Sequence, residues 1–307
     1  MGPTAVGKTE AAIVLAERLG GEIVSADSRL FYRGMDIGTA KPSAEDRLRV
    51  RHHLIDVANP DETWSLGIFQ KEAQAAIADI HQRGKLPFLV GGTGQYVHAV
   101  VQEWSVPPVT PNSNLRAVLE AWAEETGKQG LYERLAMLDP VAASRIDYRN
   151  LRRTIRALEV IFTTGSRFSA QSQMKPSPYS VRSLGLTRPR EDLYRRIDAR
   201  IDLMLANGWV DEVRSLLAAG YSPDLPALSA IGYREIIASL EGKYSLEEAI
   251  IRIRRITRNF VRHQANWFKE SDPGIRWFQA GITPMDEIVL KLTADQGWLD
   301  VNPHEDQ

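Results

Sequence analysis

Gly2-Pro3-Thr4-Ala5-Val6-Gly7-Lys8-Thr9, followed by Glu10-Ala11-Ala12-Ile13-Val14-Leu15-Ala16-Glu17-Arg18-Leu19, is the stretch that decides the fold. Its first eight residues satisfy G-x-x-x-x-G-K-[ST], the phosphate-cradling P-loop that leads from a β-strand into a helix. Glycines let the backbone curl so that successive N–H groups face phosphate oxygens, and the helix that follows offers its positive N-terminus. Lys8 can neutralise phosphate charge, and the Thr9 hydroxyl can hold Mg²⁺. The run 9–19 has the spacing of an amphipathic helix. A diphosphate site is therefore expected on Gly2, Pro3, Thr4, Ala5, Val6, Gly7, Lys8 and Thr9. The motif is common in ATP-binding and other nucleotide-binding proteins, but two linked phosphates are enough to satisfy it. A P-loop normally leaves a buried apolar strand, whereas Met1 here stands directly against Gly2. The sheet is thus expected to lack its first strand, a loss that would threaten a fold whose central strands are buried on both faces.

With 307 residues, 43% hydrophobic and 25% charged, the chain reads as an ordinary globular protein of one large or two modest domains. No apolar run approaches membrane-spanning length and no leader precedes Gly2, so a cytoplasmic protein with no membrane attachment is expected. The absence of cysteine removes disulfides and thiolate metal sites. A formal charge of −1 does not suggest a nucleic-acid ligand, but the average conceals two basic stretches.

Residues 22–27 read as a short buried strand ending in an acid. Residues 86–90 read as another, running into Gly91-Gly92-Thr93-Gly94, and between them 66–83 has helical spacing closed at Gly84. Strands alternating with helices argue for a parallel sheet whose ligands bind at the carboxyl ends of the strands. That gathers Gly7, Lys8, Thr9, Asp27 and Thr93 around one crevice. Pro107-Pro108-Val109-Thr110-Pro111 breaks the pattern, 114–163 looks helical throughout, and 181–186 returns as a strand. The expected architecture is α/β: a P-loop NTPase-like parallel sheet flanked by helices over 1–110 and 182–280. An all-helical insertion occupies 111–181, and an extension over 281–307 frays after Asp300. Residues 166–180 read as a mobile loop, and 190–219, 232–240 and 246–269 as amphipathic helices.

Asp27, at a strand tip beside a phosphate site, suits three roles: Mg²⁺ ligand, general base, or helix N-cap. The segment 27–33 interleaves charges with aromatics, as a ligand-facing surface would. His52 and His53 invite zinc, but neighbours on a strand face opposite ways and no further ligand spacing supports a site. Arg145, Arg149, Arg152, Arg153 and Arg156 crowd one helical region. Arg252, Arg254, Arg255, Arg258, Arg262, His263 and Lys269 crowd another, interleaved with Phe260, Trp267 and Phe268 and with no acid between Arg252 and Lys269. Helical arginines suit phosphate backbones and aromatics suit unstacked bases, so nucleic acid is expected there rather than a merely solvated face.

Taken together, these motifs resemble the tRNA isopentenyltransferase (tRNA dimethylallyltransferase) family in its bacterial form, from Gly2 to about Phe278. The resemblance rests on the P-loop, Asp27-Ser28 with Tyr32-Arg33, Met35-Asp36-Ile37-Gly38-Thr39-Ala40-Lys41-Pro42, Val90-Gly91-Gly92-Thr93-Gly94 with Tyr96, Arg156-Ala157-Leu158-Glu159-Val160, Ile231-Gly232-Tyr233-Arg234-Glu235, and Arg262-His263-Gln264 with Trp267-Phe268. It implies transfer of a dimethylallyl group from dimethylallyl diphosphate, with Mg²⁺, to the exocyclic amine of the adenosine 3′ to a tRNA anticodon. It also implies catalytic roles for Asp27 and Thr93, and contacts to a tRNA anticodon stem-loop from Asp27, Ser28, Arg29, Leu30, Arg152, Arg153, Arg156, Ile231, Gly232, Tyr233, Arg234, Arg262, His263, Gln264 and Trp267. Arg196 and Arg200 can add charge against the diphosphate or form a solvated face. Leu30 stands where many members carry Gln, and His263 where Arg is common. A monomer is the expected state. Rival readings are a P-loop small-molecule kinase, a prenyltransferase of free adenine nucleotides, and a non-catalytic nucleic-acid binder. The first does not need the arginine-aromatic helix, the second should lack the arginine clusters, and the third leaves the P-loop unexplained.

Overall fold

A helix that must bury two faces needs a sheet on each side, and the helix after the P-loop has them. The computed structural model describes residues 1–102, 104, 112–171, 177–265 and 267–293. In chain order the elements are α1 (Lys8–Arg18), β1 (Gly21–Ser25), α2 (Ala44–Arg49), β2 (His52–His53), α3 (Leu66–Gln82), β3 (Leu86–Val90), α4 (Gly94–Val101), α5 (Ser113–Leu138), α6 (Pro140–Ala143), α7 (Leu151–Thr164), α8 (Phe168–Gln171), β4 (Ser183–Thr187), α9 (Arg190–Ala206), α10 (Trp209–Ala218), a 3₁₀ turn (Ala227–Ser229), α11 (Tyr233–Leu240), α12 (Leu246–Ala265), β5 (Ile275–Gln279) and α13 (Met285–Thr293). They form two compact units, Met1–His98 with Tyr179–Gln307, and Ala99–Pro178.

In the first unit every strand pairing is parallel. Strand β1 lies between β2 and β3, with Gly21 opposite Leu86 and Ser25 opposite Val90, while β4 pairs with β5 from Ser183–Ile275 to Thr187–Gln279. Parallel neighbours need crossovers, supplied by α3 before β3 and by α9–α12 before β5. Ala12, Ile13 and Ala16 of α1 pack against Ile23 and Val50, and Ala11 and Leu15 pack with Leu186, Leu193, Phe278 and Ile288. The single helix thus cements both sheets through its i, i+4 faces. No strand precedes Gly2 among the described residues, but Met1 is tied to β4. The Met1 nitrogen donates to Leu184 O at 2.6 Å and its carbonyl accepts from Leu186 N at 2.9 Å. Gly2 follows so closely that a Cβ there would stand 2.6 Å from Leu186 O, which only glycine tolerates.

Absent from the sequence reading are β5, the short β2 and the helices α2, α4, α8 and α13. Helix α12 ends before the expected Lys269, where the chain turns so that Phe268 becomes buried. In the second unit α5 is broken at Gly127 (φ 75°, ψ 165°), and Leu119, Leu131 and Leu135 pack with Ile146, Ile155 and Leu158. Part of the expected mobile loop is ordered instead. Asp139 is buried and accepts hydrogen bonds from Ser169 N and Oγ, both at 2.7 Å, which fixes α8. The proline run at 107–111 and the expected fraying after Asp300 lie outside the described residues. Among the described residues, no helix is long and apolar enough to cross a membrane.

Candidate active site

The P-loop curls through three positive-φ residues, Gly2 (144°), Ala5 (61°) and Gly7 (108°). Ala5 is the only one of these with a Cβ, so it carries about 1 kcal/mol of backbone strain. Gly7 caps α1 without a side-chain acceptor, leaving the first-turn amides of that helix to a ligand. The loop's carbonyls are turned towards cations instead. Lys8 Nζ donates to Pro3 O at 2.7 Å, Arg196 Nε to Ala5 O at 2.8 Å, and Arg188 Nε to Val6 O at 3.4 Å. The resulting cradle presents donors and hides acceptors.

Lys8, Thr9, Ser25, Asp27, Leu30, Val90 and Gly91 line an open pocket of about 60 Å³, whose remaining wall is Ala12, Ile23, Pro42, His52 and Ile55. A crevice thus opens at the carboxyl ends of β1 and β3, polar at the P-loop and largely apolar beyond it, lined by Lys8, Thr9 and Asp27 but not by Gly7 or Thr93. Removal from water pulls the Lys8 ammonium down to about 8, with Asp27 pulling the other way and Arg200 adding repulsion. Arg200 is half-buried, and desolvation lowers its pKa. A site that disfavours its own cations is one that gains from an incoming anion.

Asp27 Oδ1 accepts from Arg29 N at 3.0 Å, a local turn of the capping kind, while Oδ2 has no hydrogen-bond partner among the described residues. The capping bond thus occupies one oxygen and leaves the other open. Thr93 stands two residues beyond Gly91, half-buried, just before α4 and outside the pocket lining. Its carbonyl accepts from Tyr96 N at 3.0 Å, and Tyr96 packs edge-on against Phe69 with centroids 4.7 Å apart. Ser28 hydrogen-bonds the Tyr96 hydroxyl, whose pKa burial raises.

Arg29 turns away from the pocket, its guanidinium donating to Pro226 O at 3.2 Å and to Ser229 Oγ at 3.4 Å, which anchors the 3₁₀ turn. The Met35–Pro42 motif is tied to the 231–234 segment by two α10 residues that sequence reasoning missed. The Glu212 carboxylate accepts from Asp36, Ile37 and Gly38 N–H groups at 2.7, 2.6 and 3.1 Å and from Tyr233 Oη at 2.6 Å. Trp209 is fully buried, and a Cβ at Gly38 or Gly232 would overlap its indole. Ile231 is half-buried and Gly232 and Tyr233 are buried, so of this segment only Arg234 is exposed.

The α12 charges divide. Arg254 pairs with Asp202 and Arg258 with Asp198, both at 2.5 Å, and Arg252 with Glu248 at 2.6 Å. The acids missing from the run are supplied by α9 and by the preceding turn of α12. Arg255 and Arg262 are exposed and have no ion pair among the described residues, and His263 and Trp267 are also exposed. Gln264 is buried and faces the P-loop. In the second unit Arg152 and Arg153 are exposed on α7, whereas Arg156 joins Arg116 on the buried Glu159. Among the described residues no group of three His, Asp or Glu could hold a metal, and the adjacent histidines separate, His53 to Glu22 at 2.7 Å and His52 Nδ1 to Val50 O at 2.8 Å.

Known proteins resemble this chain. The family model described as IPP transferase matches residues 30–271. A tRNA dimethylallyltransferase of Thermomicrobium roseum is 51% identical over 99% of this chain and 94% of its own. That of a Roseiflexus species is 54% identical over 98% and 97%. Among solved structures, a tRNA isopentenylpyrophosphate transferase of Bacillus halodurans superposes with a TM-score of 0.70 at 42% identity, covering 95% of this chain and 92% of that one. A eukaryotic dimethylallyltransferase acting on tRNA gives 0.81 at 27% identity, covering 96% and 77%.

Proposed function

Because the chain belongs to the IPP transferase family, we propose that it transfers the dimethylallyl group of dimethylallyl diphosphate to the exocyclic N6 amine of the adenosine 3′ to a tRNA anticodon. The observation that carries this reading is a single crevice joining Lys8, Thr9 and the open amides of α1 to the carboxylate of Asp27. An adenine amine is a weak nucleophile because its lone pair is delocalised into the ring. Asp27 Oδ2 takes the N6 proton as the bond from N6 to the allylic carbon forms and the bond from that carbon to the diphosphate oxygen breaks. The negative charge left on diphosphate meets Lys8, the P-loop amides and the Arg196 and Arg200 side chains. Thr93, on the turn after β3 and beyond the pocket lining, would meet the acceptor base at the mouth of the crevice.

The hard-oxygen donors at the crevice, the Thr9 hydroxyl above all, fit Mg²⁺, which binds diphosphate readily and needs few protein ligands. Thr9 would hold the ion, which would add to neutralisation of the leaving group. The target base reaches the crevice by leaving its stack in the anticodon loop. Arg255, Arg262, Arg152 and Arg153 hold the phosphate backbone of the stem-loop. The protein works as a monomer in the cytoplasm.

The deciding experiment supplies Mg²⁺, labelled dimethylallyl diphosphate, and either unmodified tRNA or AMP. Label on tRNA alone is expected. Label on AMP, or hydrolysis of ATP in place of prenyl transfer, overturns the reading.

A further inference from the structure

Gln264 is 5% exposed, the one buried polar residue of α12. Its Oε1 accepts from Thr4 N at 2.8 Å and its Nε2 donates to Gly92 O at 2.9 Å. The partners fix the orientation of the amide, since a backbone N–H can only donate and a carbonyl can only accept. A Cβ on Gly92 would overlap Nε2, so this glycine leaves room for the carboxamide. Three residues on, Trp267 covers Gly94 so closely that a Cβ there would stand 2.5 Å from it, and His98 stacks on Phe268 with centroids 5.9 Å apart. The end of α12 and the turn after it thus touch the P-loop at Thr4 and both ends of the turn that carries Thr93.

We propose that Gln264 is a positioning residue that sets the diphosphate loop and the Gly92–Thr93 turn in mutual register, rather than a residue that touches RNA. The inference rests on the prenyl-transfer reading of this crevice. Two partners of opposite polarity, 88 residues apart in sequence (Thr4 and Gly92), are met by the two ends of one planar amide. Glutamate would keep the acceptor, lose the donor and bring a negative charge towards the diphosphate. Asparagine is too short to span both, and methionine fills the space with neither bond. Thr4 N–H is withheld from the ligand, so the loop is held in shape independently of phosphate.

The test compares wild type with Gln264→Met and Gln264→Glu. Expected for Gln264→Met is a roughly tenfold rise in KM for dimethylallyl diphosphate with a similar fall in kcat, and for Gln264→Glu a larger rise in KM. The directly measured Kd for an anticodon stem-loop RNA should stay within about twofold. A raised RNA Kd with unchanged diphosphate KM overturns the proposal in favour of an RNA contact, and an unchanged KM and kcat overturns it outright. The wild-type protein gives a second reading by hydrogen exchange, with the Thr4 amide protected whether or not the diphosphate is bound. Fast exchange at Thr4 overturns the proposal even if the variants do not fold. Wild type that transfers no label to tRNA refutes the prenyl-transfer reading instead.

Discussion

If Lys8 is charged only at the expense of its surroundings, binding of an allylic diphosphate must take up a proton above the pKa of the free site. That pKa is drawn from 10.5 to about 8 by burial. A fully ionised diphosphate in the cradle restores a value near the ordinary one. At pH 7 roughly nine-tenths of free sites then carry the charge, and at pH 9 roughly one-tenth do. Affinity should therefore be flat below pH 7 and fall about tenfold by pH 9, with proton uptake rising from about 0.1 to about 0.9 per site. The assay is titration calorimetry with a non-reactive thiolo analogue of dimethylallyl diphosphate, in buffers of different ionisation enthalpy. Lys8→Arg should abolish the uptake whatever its affinity, because a guanidinium stays charged throughout. For folding the same linkage runs in the opposite direction. The unfolded chain binds more protons between pH 8 and 10.5, so stability rises with pH across that window. A Kd unchanged to pH 9.5 with no proton uptake refutes the reasoning.

Other outcomes follow from the same geometry. Asp27→Asn should lower single-turnover prenyl transfer by about 10²- to 10⁴-fold with stem-loop RNA binding intact, and unimpaired turnover removes Asp27 as the base. Arg255→Ala with Arg262→Ala should weaken RNA binding and lower its salt slope by about 2 without moving Tm, as filter binding from 50 to 300 mM salt would read. Arg254→Ala with Arg258→Ala, which breaks the α9 pairs, should instead lower Tm, and equal behaviour of the two double variants contradicts the division. Glu22 is buried and holds Arg83, with Lys85 at 2.9 Å and His53 at 2.7 Å, and the Arg83 hydrogen bonds keep its carboxyl well below the usual range. Glu22→Gln should cost about 3 kcal/mol in urea unfolding at pH 7, and the wild-type stability from this cluster should be lost as pH falls below about 4.5, where the unfolded side chain protonates.

Local signals were legible in the sequence, and long-range ones were not. The P-loop, β1, β3 and the turn at Gly91–Gly94 each announce themselves within a few residues, so the crevice could be assembled from strand ends alone. Strand β5 is five residues, preceded by the turn Asp272-Pro273-Gly274, but its partner β4 lies about 90 residues upstream. Its pairing is therefore not legible locally. The run from Arg252 to Lys269 looked uncompensated because Asp198 and Asp202 lie on another helix, 52 to 60 residues away. Gln264 reads as a tRNA contact for the same reason, its partner Thr4 being 260 residues distant. Glu212 had no signal at all, since an acid in the first turn of a helix is ordinary there, and only the facing amides of 36–38 make it a ligand.

The Trp209 indole is in effect a shim. It keeps the loop at Gly38 and the entry to α11 at Gly232 one ring-width apart, and neither position has space for a methyl group. Sequence change at these three sites is therefore a joint event. An alanine at Gly38 or Gly232 becomes tolerable only after the ring has been exchanged for something thinner, and a thinner ring alone leaves a void beneath Tyr233. At Gly232, whose φ is 96°, the backbone adds its own penalty to any side chain. Random single-site libraries should find all three positions closed, while paired libraries that vary Trp209 with Gly38 should recover folded proteins whose two loops sit at a different spacing. That gives an engineer one dial for the gap between these two segments.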